Sequence, residues 1–328
     1  MRLFAQSINT ISTFCLAIVA AMALSGCNGQ AALTTEAQQA PVQHQEAAPE
    51  SAAKPALTFD SFAAMGDFGC GLPGQYALAA GLVRDYPKAP YTHMLLLGDL
   101  IYPDGDVKQF GEAYFTKPYK PLAQAGVQFI AALGNHDVLT THTQASMAFF
   151  NMPARYYPVS LGAYTDVFVI DTNTFNSLQA AWLKTQLAQS RKPWRIVIGH
   201  HPVYSSGEHG NSNSLIKLLK PVLESAAQTS AQTPTETPII YLAGHDHNYE
   251  RFALKQNVQY IISGGGGASL RGFGKPESGS MVRLSVHHYL RALATADTLT
   301  LYAIDATGKT IDSIKLTKQD AAQAKPAA

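Results

Sequence analysis

The stretch IIYLAGHDHNYER, Ile239 to Arg251, sets the reading of the whole chain. Five apolar residues in succession, Ile239 to Ala243, read as a strand that buries itself thoroughly. It then stops at Gly244, and two histidines, His245 and His247, follow on either side of Asp246. A histidine-rich surface turn would account for the triplet taken alone. A metal site would need partners, so the question passes to the rest of the sequence.

The same pattern recurs four more times. FAAM leads into GDFG with Asp67, and MLLL into GDLIY with Asp99 and Tyr102. FIAAL leads into GNHD with Asn135, His136 and Asp137, and RIVI into GHH with His200 and His201. Each time an apolar strand ends in glycine, which turns without a Cβ penalty, and then in a metal-capable side chain. The spacing predicts strands over Leu57–Met65, His93–Gly98, Val127–Leu133, Asp166–Ile170, Trp194–Ile198 and Ile239–Ala243. Helices are predicted over Gln75–Tyr86, Gln109–Gln124, Leu178–Ser190 and Ser214–Leu223. Strands alternating with helices imply crossover units and a helix-covered sheet. Ligand sites in such folds lie at the carboxyl ends of the strands, so the five motifs are expected on one rim. From Val258 onward VQYIIS, MVRLSV, LRALA, TLTLYAID and TIDSIKL read as strands joined by short turns and paired antiparallel.

The chain has 328 residues, 46% of them apolar, and a net charge of +1. That is enough to bury one large core or two modest ones, and it offers no basic field for nucleic acid. The N-terminus, with Arg2 followed by an apolar segment from about Ile11 to Leu24, has the pattern of a secretory signal. Its ending Leu24-Ser25-Gly26-Cys27 resembles the bacterial lipobox, which implies lipidation of Cys27 and a lipid-anchored place in the cell envelope, facing the periplasm, or secretion. Asn28 stands where aspartate is the usual inner-membrane retention signal, which favours the outer membrane. Residues 1–27 are thus read as a lipoprotein signal peptide, 28–56 as a flexible tether poor in large apolar side chains, 57–316 as the folded domain and 317–328 as a disordered tail. The stretch from Ser225 to Pro238 reads as a surface loop. Cys70 is then the single thiol of the mature domain, so no internal disulfide can form.

The donors fit two adjacent metals. Asp99 offers two oxygens and can bridge, while Asp67, Tyr102, Asn135, His200, His245 and His247 supply oxygen and nitrogen suited to iron, zinc or manganese. Paired ions of this kind clamp both oxygens of an in-line displacement and acidify bound water, which is machinery for cleaving phosphate esters.

The motifs GDFG, GDLIY, GNHD, GHHPVYSSGEHG and GHDHNYER resemble those of the calcineurin-like metallophosphoesterases, and Tyr102 narrows the resemblance to the purple acid phosphatases of the small, single-domain type. The resemblance spans about Leu57 to Leu316. It implies an α/β (α+β) fold, a four-layer α-β-β-α sandwich. It also implies an iron(III) site of Asp67, Tyr102 and His247, and a divalent site of Asn135, His200 and His245 for Fe(II), Zn(II) or Mn(II). Asp99 would bridge them, and His136 and His209 would contact the substrate phosphate and protonate the leaving group. The reaction implied is hydrolysis of a small phosphate monoester by attack of a metal-bound hydroxide. The chain departs from the small animal enzymes in lacking their disulfide, in Leu100 and Ile101 beside Asp99, and in the 225–238 loop.

Two rival readings stay open: a phosphodiesterase of the same superfamily, against which Tyr102 argues, and a non-catalytic binding lipoprotein, against which the full set of seven ligands argues. No protein partner is implied. His201 is read as a rim or substrate contact, His287 and His288 as a surface pair, and Cys70 as a small buried hydrophobe. Gly264 to Gly267 follow a strand and lack the P-loop Lys and Ser, so they read as a tight turn near the rim.

Overall fold

The computed structural model describes residues 58–228 and 237–318. The signal peptide with Cys27, the tether, most of the 225–238 loop and nearly all of the tail lie outside the described residues. In chain order the elements are β1 (Asp60–Met65), α1 (Pro73–Asp85), β2 (His93–Leu96), α2 (Val107–Gly111), a π turn (Glu112–Thr116) and α3 (Lys117–Gln124). β3 (Gln128–Ala131), α4 (Thr143–Phe149), β4 (Tyr157–Ser160), β5 (Thr165–Val169), α5 (Ser177–Gln189) and β6 (Trp194–Ile198) follow. Then come α6 (Asn213–Leu218), α7 (Lys220–Gln228), β7 (Ile239–Ala243), β8 (Tyr249–Phe252) and β9 (Val258–Ser263). β10 (Ser280–Leu284), β11 (His288–Ala294), β12 (Thr298–Asp305) and β13 (Thr310–Thr317) complete the chain.

Two sheets result, in the orders β13-β12-β11-β1-β2-β3 and β10-β8-β9-β7-β6-β5-β4. The strands that end in motifs are the parallel ones: β1 pairs with β2 and β2 with β3 in the first sheet, and β6 with β7 in the second. Their sequences explain their place. In β7 every residue is buried, and successive side chains go to opposite faces. Ile240 and Leu242 join the core between the sheets, with Phe62, Leu95 and Ile196. Ile239, Tyr241 and Ala243 instead meet Leu183 of α5 and Leu215, Leu219 and Leu223 of the α6–α7 region on the outer face. Leu78 and Leu82 of α1 and Leu122 of α3 pack on the first sheet. The layers are therefore helix, sheet, sheet, helix, as expected.

Some details differ from the sequence reading. β9 is not part of an all-antiparallel block: it pairs antiparallel with β8, which it follows in the chain, but lies between β8 and β7 and so runs parallel to β7. β4, β8 and α4 had no sequence signal. β8 carries Glu250 into the interior, where Ser206 and Ser280 hydroxyls donate to it, and such tertiary partners are invisible in a single sequence. The helix expected over Ser214–Leu223 is two, α6 and α7. Among the described residues no helix is long and apolar enough to cross a membrane.

Candidate metal centre

The carboxyl ends of β1, β2, β3, β6 and β7 bring five loops to one rim, where the backbone bends hard. Asp67, Asp99 and His245, each following a glycine, have φ of 61°, 50° and 73°. A non-glycine side chain in this region costs on the order of 1–3 kcal/mol, and such outliers gather at functional sites. Space is tight as well. A methyl group on Gly134 would overlap the Asp99 carboxylate and amide, and one on Gly244 would overlap Asp67 Oδ2. Glycine at these two positions lets acidic groups lie directly against the backbone.

The seven expected ligands converge. An oxygen each of Asp67 and Asp99 and a ring nitrogen of His200 lie within 4.8 Å of one another. The Tyr102 hydroxyl lies 2.9 Å from Asp99 Oδ2, 3.3 Å from Asp67 Oδ1 and 3.2 Å from His247 Nε2. On the other side His200 Nε2 lies 3.4 Å from Asp99 Oδ1, 3.0 Å from Asn135 Oδ1 and 3.2 Å from His245 Nδ1. Asp99 thus gives one oxygen to each group. Asp67 and His200, expected in different sites, still lie within 4.8 Å of each other and of Asp99.

Neighbouring carbonyls set the imidazoles. His200 Nδ1 lies 3.0 Å from the Leu97 carbonyl and His247 Nδ1 lies 2.8 Å from the Ser269 carbonyl, which turns each Nε2 toward the centre. The His245 amide donates to Asp67 Oδ2 at 2.9 Å and fixes that ring's approach.

The electrostatics belong to a site built around cations. Burial opposes the charged form of Asp99, yet the His200 imidazole and His136 hold its carboxyl well below the usual range. Burial likewise opposes protonation of His200, but Asp99 and Asp67 push it up to about 9. Burial, followed by the nearby His200, His201 and His209 rings, holds His245 strongly toward the neutral, lone-pair-bearing form a metal requires. Burial and then the carboxylates of Asp67 and Asp99 drive the Tyr102 phenol far up. A cation among these oxygens reverses that pressure. Oxygen acceptors packed against oxygen acceptors, beside neutral imidazole, fit a pair of metal ions.

Three further residues hold the loops, in roles that the motifs alone do not assign to them. Asp137, completely buried, accepts from the amides of Leu100 at 3.0 Å and Gly134 at 2.7 Å, and so ties the Asp99 loop to the Asn135 loop. Burial, then the Asp99 charge, raises its carboxyl to about 7. Asp246 accepts from the Ser205 hydroxyl at 2.5 Å and the His209 amide at 3.2 Å, anchoring the loop that carries His209. The Thr172 hydroxyl accepts from the amides of His200 and His201. The two aspartates stand inside quoted motifs, GNHD and GHDH. Thr172 carries no sequence signal.

The rim histidines frame the centre. His136 Nδ1 meets the Pro103 carbonyl at 2.5 Å, leaving Nε2 3.9 Å from Asp99 Oδ2, and its ring lies 4.5 Å from that of Tyr102. His209 stacks on His245 at 4.1 Å, and Arg271 meets His209 Nε2. His201 lies 4.4 Å from His245 and pairs with Thr172, so it is a rim neighbour as read. Gly264 packs near Asp67 Oδ2, which makes the glycine run part of the wall behind the centre.

Two readings are corrected. His288 is no surface residue: it is fully buried, with Nε2 3.0 Å from the Ser263 hydroxyl and Nδ1 2.9 Å from the Val286 carbonyl, and His287 beside it is half-buried. Cys70 is half-buried rather than core, in the loop between β1 and α1, where its amide donates to Gln75 Oε1.

Residues 61–264 match the family described as calcineurin-like phosphoesterase. Human tartrate-resistant acid phosphatase type 5 is 30% identical over 256 residues, 65% of this chain and 74% of that protein. Among solved structures, purple acid phosphatase PPD1 from yellow lupin seeds superposes with a TM-score of 0.69 at 18% identity, covering 82% of this chain and 57% of that one. GAP50, the anchor in the inner membrane complex of Plasmodium, superposes with a TM-score of 0.65 at 20% identity, covering 81% and 93%. At these identities the two structures speak for the fold alone.

Proposed function

The chain belongs to the calcineurin-like phosphoesterase family and is a phosphatase with a dinuclear metal centre, and from that premise we propose that it hydrolyses phosphate monoesters in the manner of the purple acid phosphatases. The observation that carries the proposal is the Tyr102 hydroxyl, seated between Asp67, Asp99 and His247. In this reading Asp67, Tyr102 and His247 would hold iron(III), Asn135, His200 and His245 would hold Fe(II), Zn(II) or Mn(II), and Asp99 would serve both. When bound, the two ions supply an acidified water and positive charge for the phosphoryl oxygens.

The chain's own residues supply the rest. His136 presents Nε2 to the centre because the Pro103 carbonyl takes its other nitrogen, so it can bind a phosphoryl oxygen or hand a proton to the departing alcohol. His209, held by Asp246 and stacked on His245, approaches the same space from the opposite loop. Asp137 and Thr172 keep the ligand loops from relaxing and so hold the donors in place for the transition state.

Rates on p-nitrophenyl phosphate and bis(p-nitrophenyl) phosphate test the proposal, using metal-loaded protein that begins just after Cys27. A clear monoester preference supports it. A diester preference would place the chain in the phosphodiesterase branch, and no turnover of either with two ions bound would leave a binding protein. The lipid anchor at Cys27 belongs to the same proposal, supported by the Leu-Ser-Gly-Cys ending. Incorporation of labelled fatty acid into the full chain, lost in Cys27→Ala, tests it.

A further inference from the structure

β8 follows the ligand pair His245–His247 directly, and the alternation of a strand sends its consecutive side chains to opposite faces. The Tyr249 hydroxyl and the Arg251 guanidinium both meet Asp312 of β13, at 2.7 Å and 2.6 Å, and tie the strand to the first sheet. Glu250 goes the other way and is completely buried. Among the described residues no cation lies within ion-pair distance of it. A carboxyl in the interior is costly unless its oxygens are hydrogen-bonded, and three donors meet this one. The Ser206 amide donates to Oε2 at 2.8 Å, and the hydroxyls of Ser206 and Ser280 each donate to Oε1 at 2.5 Å. Two of the three donors thus belong to Ser206, three residues before His209. The rest of Ser206 is held as well: its hydroxyl accepts from the Glu277 amide and its carbonyl from the Gly274 amide, both at 2.8 Å.

The far end of the same loop reaches the centre. The His209 amide donates to Asp246 Oδ1, and its ring stacks on that of His245 at 4.1 Å. Asp246 stands between the two ligand histidines and Glu250 three residues beyond the second. Both carboxyls that grip the loop therefore come from the segment that carries His245 and His247, so the loop is placed relative to the ligands themselves. We propose that Glu250 is a positioning residue for the reaction: by holding Ser206 it fixes the loop so that His209 stands against His245. What His209 then does rests on the phosphatase reading, while the hold on the loop can be read without turnover.

Metal-loaded protein that begins just after Cys27 is compared with its Glu250→Ala variant by amide hydrogen exchange and by steady-state rates on p-nitrophenyl phosphate. In the variant the amides of residues 203–212 are expected to exchange roughly tenfold faster, those of β7 to stay as they were, and kcat to fall roughly tenfold. Glu250→Gln can meet the same three partners with both hydroxyls turned round, and should recover most of both losses. Ser280→Ala takes a hydroxyl from the same carboxyl but not from the His209 loop, and should leave kcat near wild type. In a His209→Asn background Glu250→Ala should add little, since the group it positions is gone. An equal factor lost with and without His209, or unchanged exchange over residues 203–212, would overturn the assignment. If Glu250→Ala does not fold, Ser206→Ala removes the loop's side of the contact and is judged by the same two measurements. Failure of the protein to turn over any phosphate ester would sink the phosphatase reading but would leave the exchange of the loop to judge Glu250.

Discussion

His245 and His288 are both shielded imidazoles held toward the neutral form, and they sit in different worlds. His288 lies in the interior at the start of β11, and each ring nitrogen has a neutral partner, Ser263 or the Val286 carbonyl. His245 ends β7 with a strained φ of 73°, and its Nδ1 points at His200 Nε2, 3.2 Å away, beside Asp99 and Asn135. Burial and neutrality are thus common to both. A ring nitrogen aimed into a cluster of metal-capable side chains, on a backbone bent to put it there, is peculiar to the rim. That difference separates a ligand from a packed histidine.

The sharpest way to break the comparison is to remove each ring. His245→Ala is expected to lower phosphatase activity on the order of a thousandfold or more, since one ion loses a ligand while the fold keeps its core. His288→Ala should do the reverse, keeping turnover per folded molecule and losing stability. Steady-state rates on p-nitrophenyl phosphate beside urea unfolding of both variants decide it. Comparable activity losses in the two would mean that the distinction is wrong.

Asp137 lies on the border between the two worlds, a core residue by burial that serves the site. Asp137→Ala leaves the Leu100 and Gly134 amides without their acceptor, a cost on the order of 3–5 kcal/mol for buried donors. Activity should fall with stability, because the Asp99 and Asn135 loops lose their tie. Asp137→Asn retains an acceptor and relieves repulsion from Asp99, so it should recover most of the stability. Urea midpoints of the two variants measure this, and equal losses would show that the tie is not what matters.

The same contrast explains what could be read in advance. Parallel strands buried on both faces are written as unbroken apolar runs, and β6 and β7 were legible to the residue. Their abrupt ends in Gly-His and Gly-His-Asp-His made the candidate ligands legible too, since glycine followed by a donor has local chemical meaning. Residues whose role depends on a distant partner were not legible. β8, with Glu250 and Arg251 inside Tyr-Glu-Arg-Phe, looks like a turn until Ser206, Ser280 and Asp312 are seen beside it. His288 looked exposed for the same reason: Ser263 is 25 residues away in sequence.

The smallest expected effect concerns acid. Burial, only partly offset by the Val286 carbonyl, lowers His288 to about 4 from its ordinary 6.5. The unfolded chain therefore binds a proton there between those values while the folded chain does not. Protonation favours unfolding, and the stability associated with His288 is intact above about pH 6.5 and declines as pH falls toward 4. One group changes stability by about 1.4 kcal/mol per pH unit in that window, or about 2 kcal/mol between pH 6.5 and 5. In His288→Gln this decline disappears, so the gap between the variant and the wild-type protein should narrow by that amount on acidification. Parallel urea titrations from pH 7.5 to 5 read the difference, and titrating metal ligands common to both proteins cancel from it. A gap that stays constant would mean that His288 takes up its proton as readily in the fold as in the unfolded chain, so that burial does not hold the ring neutral.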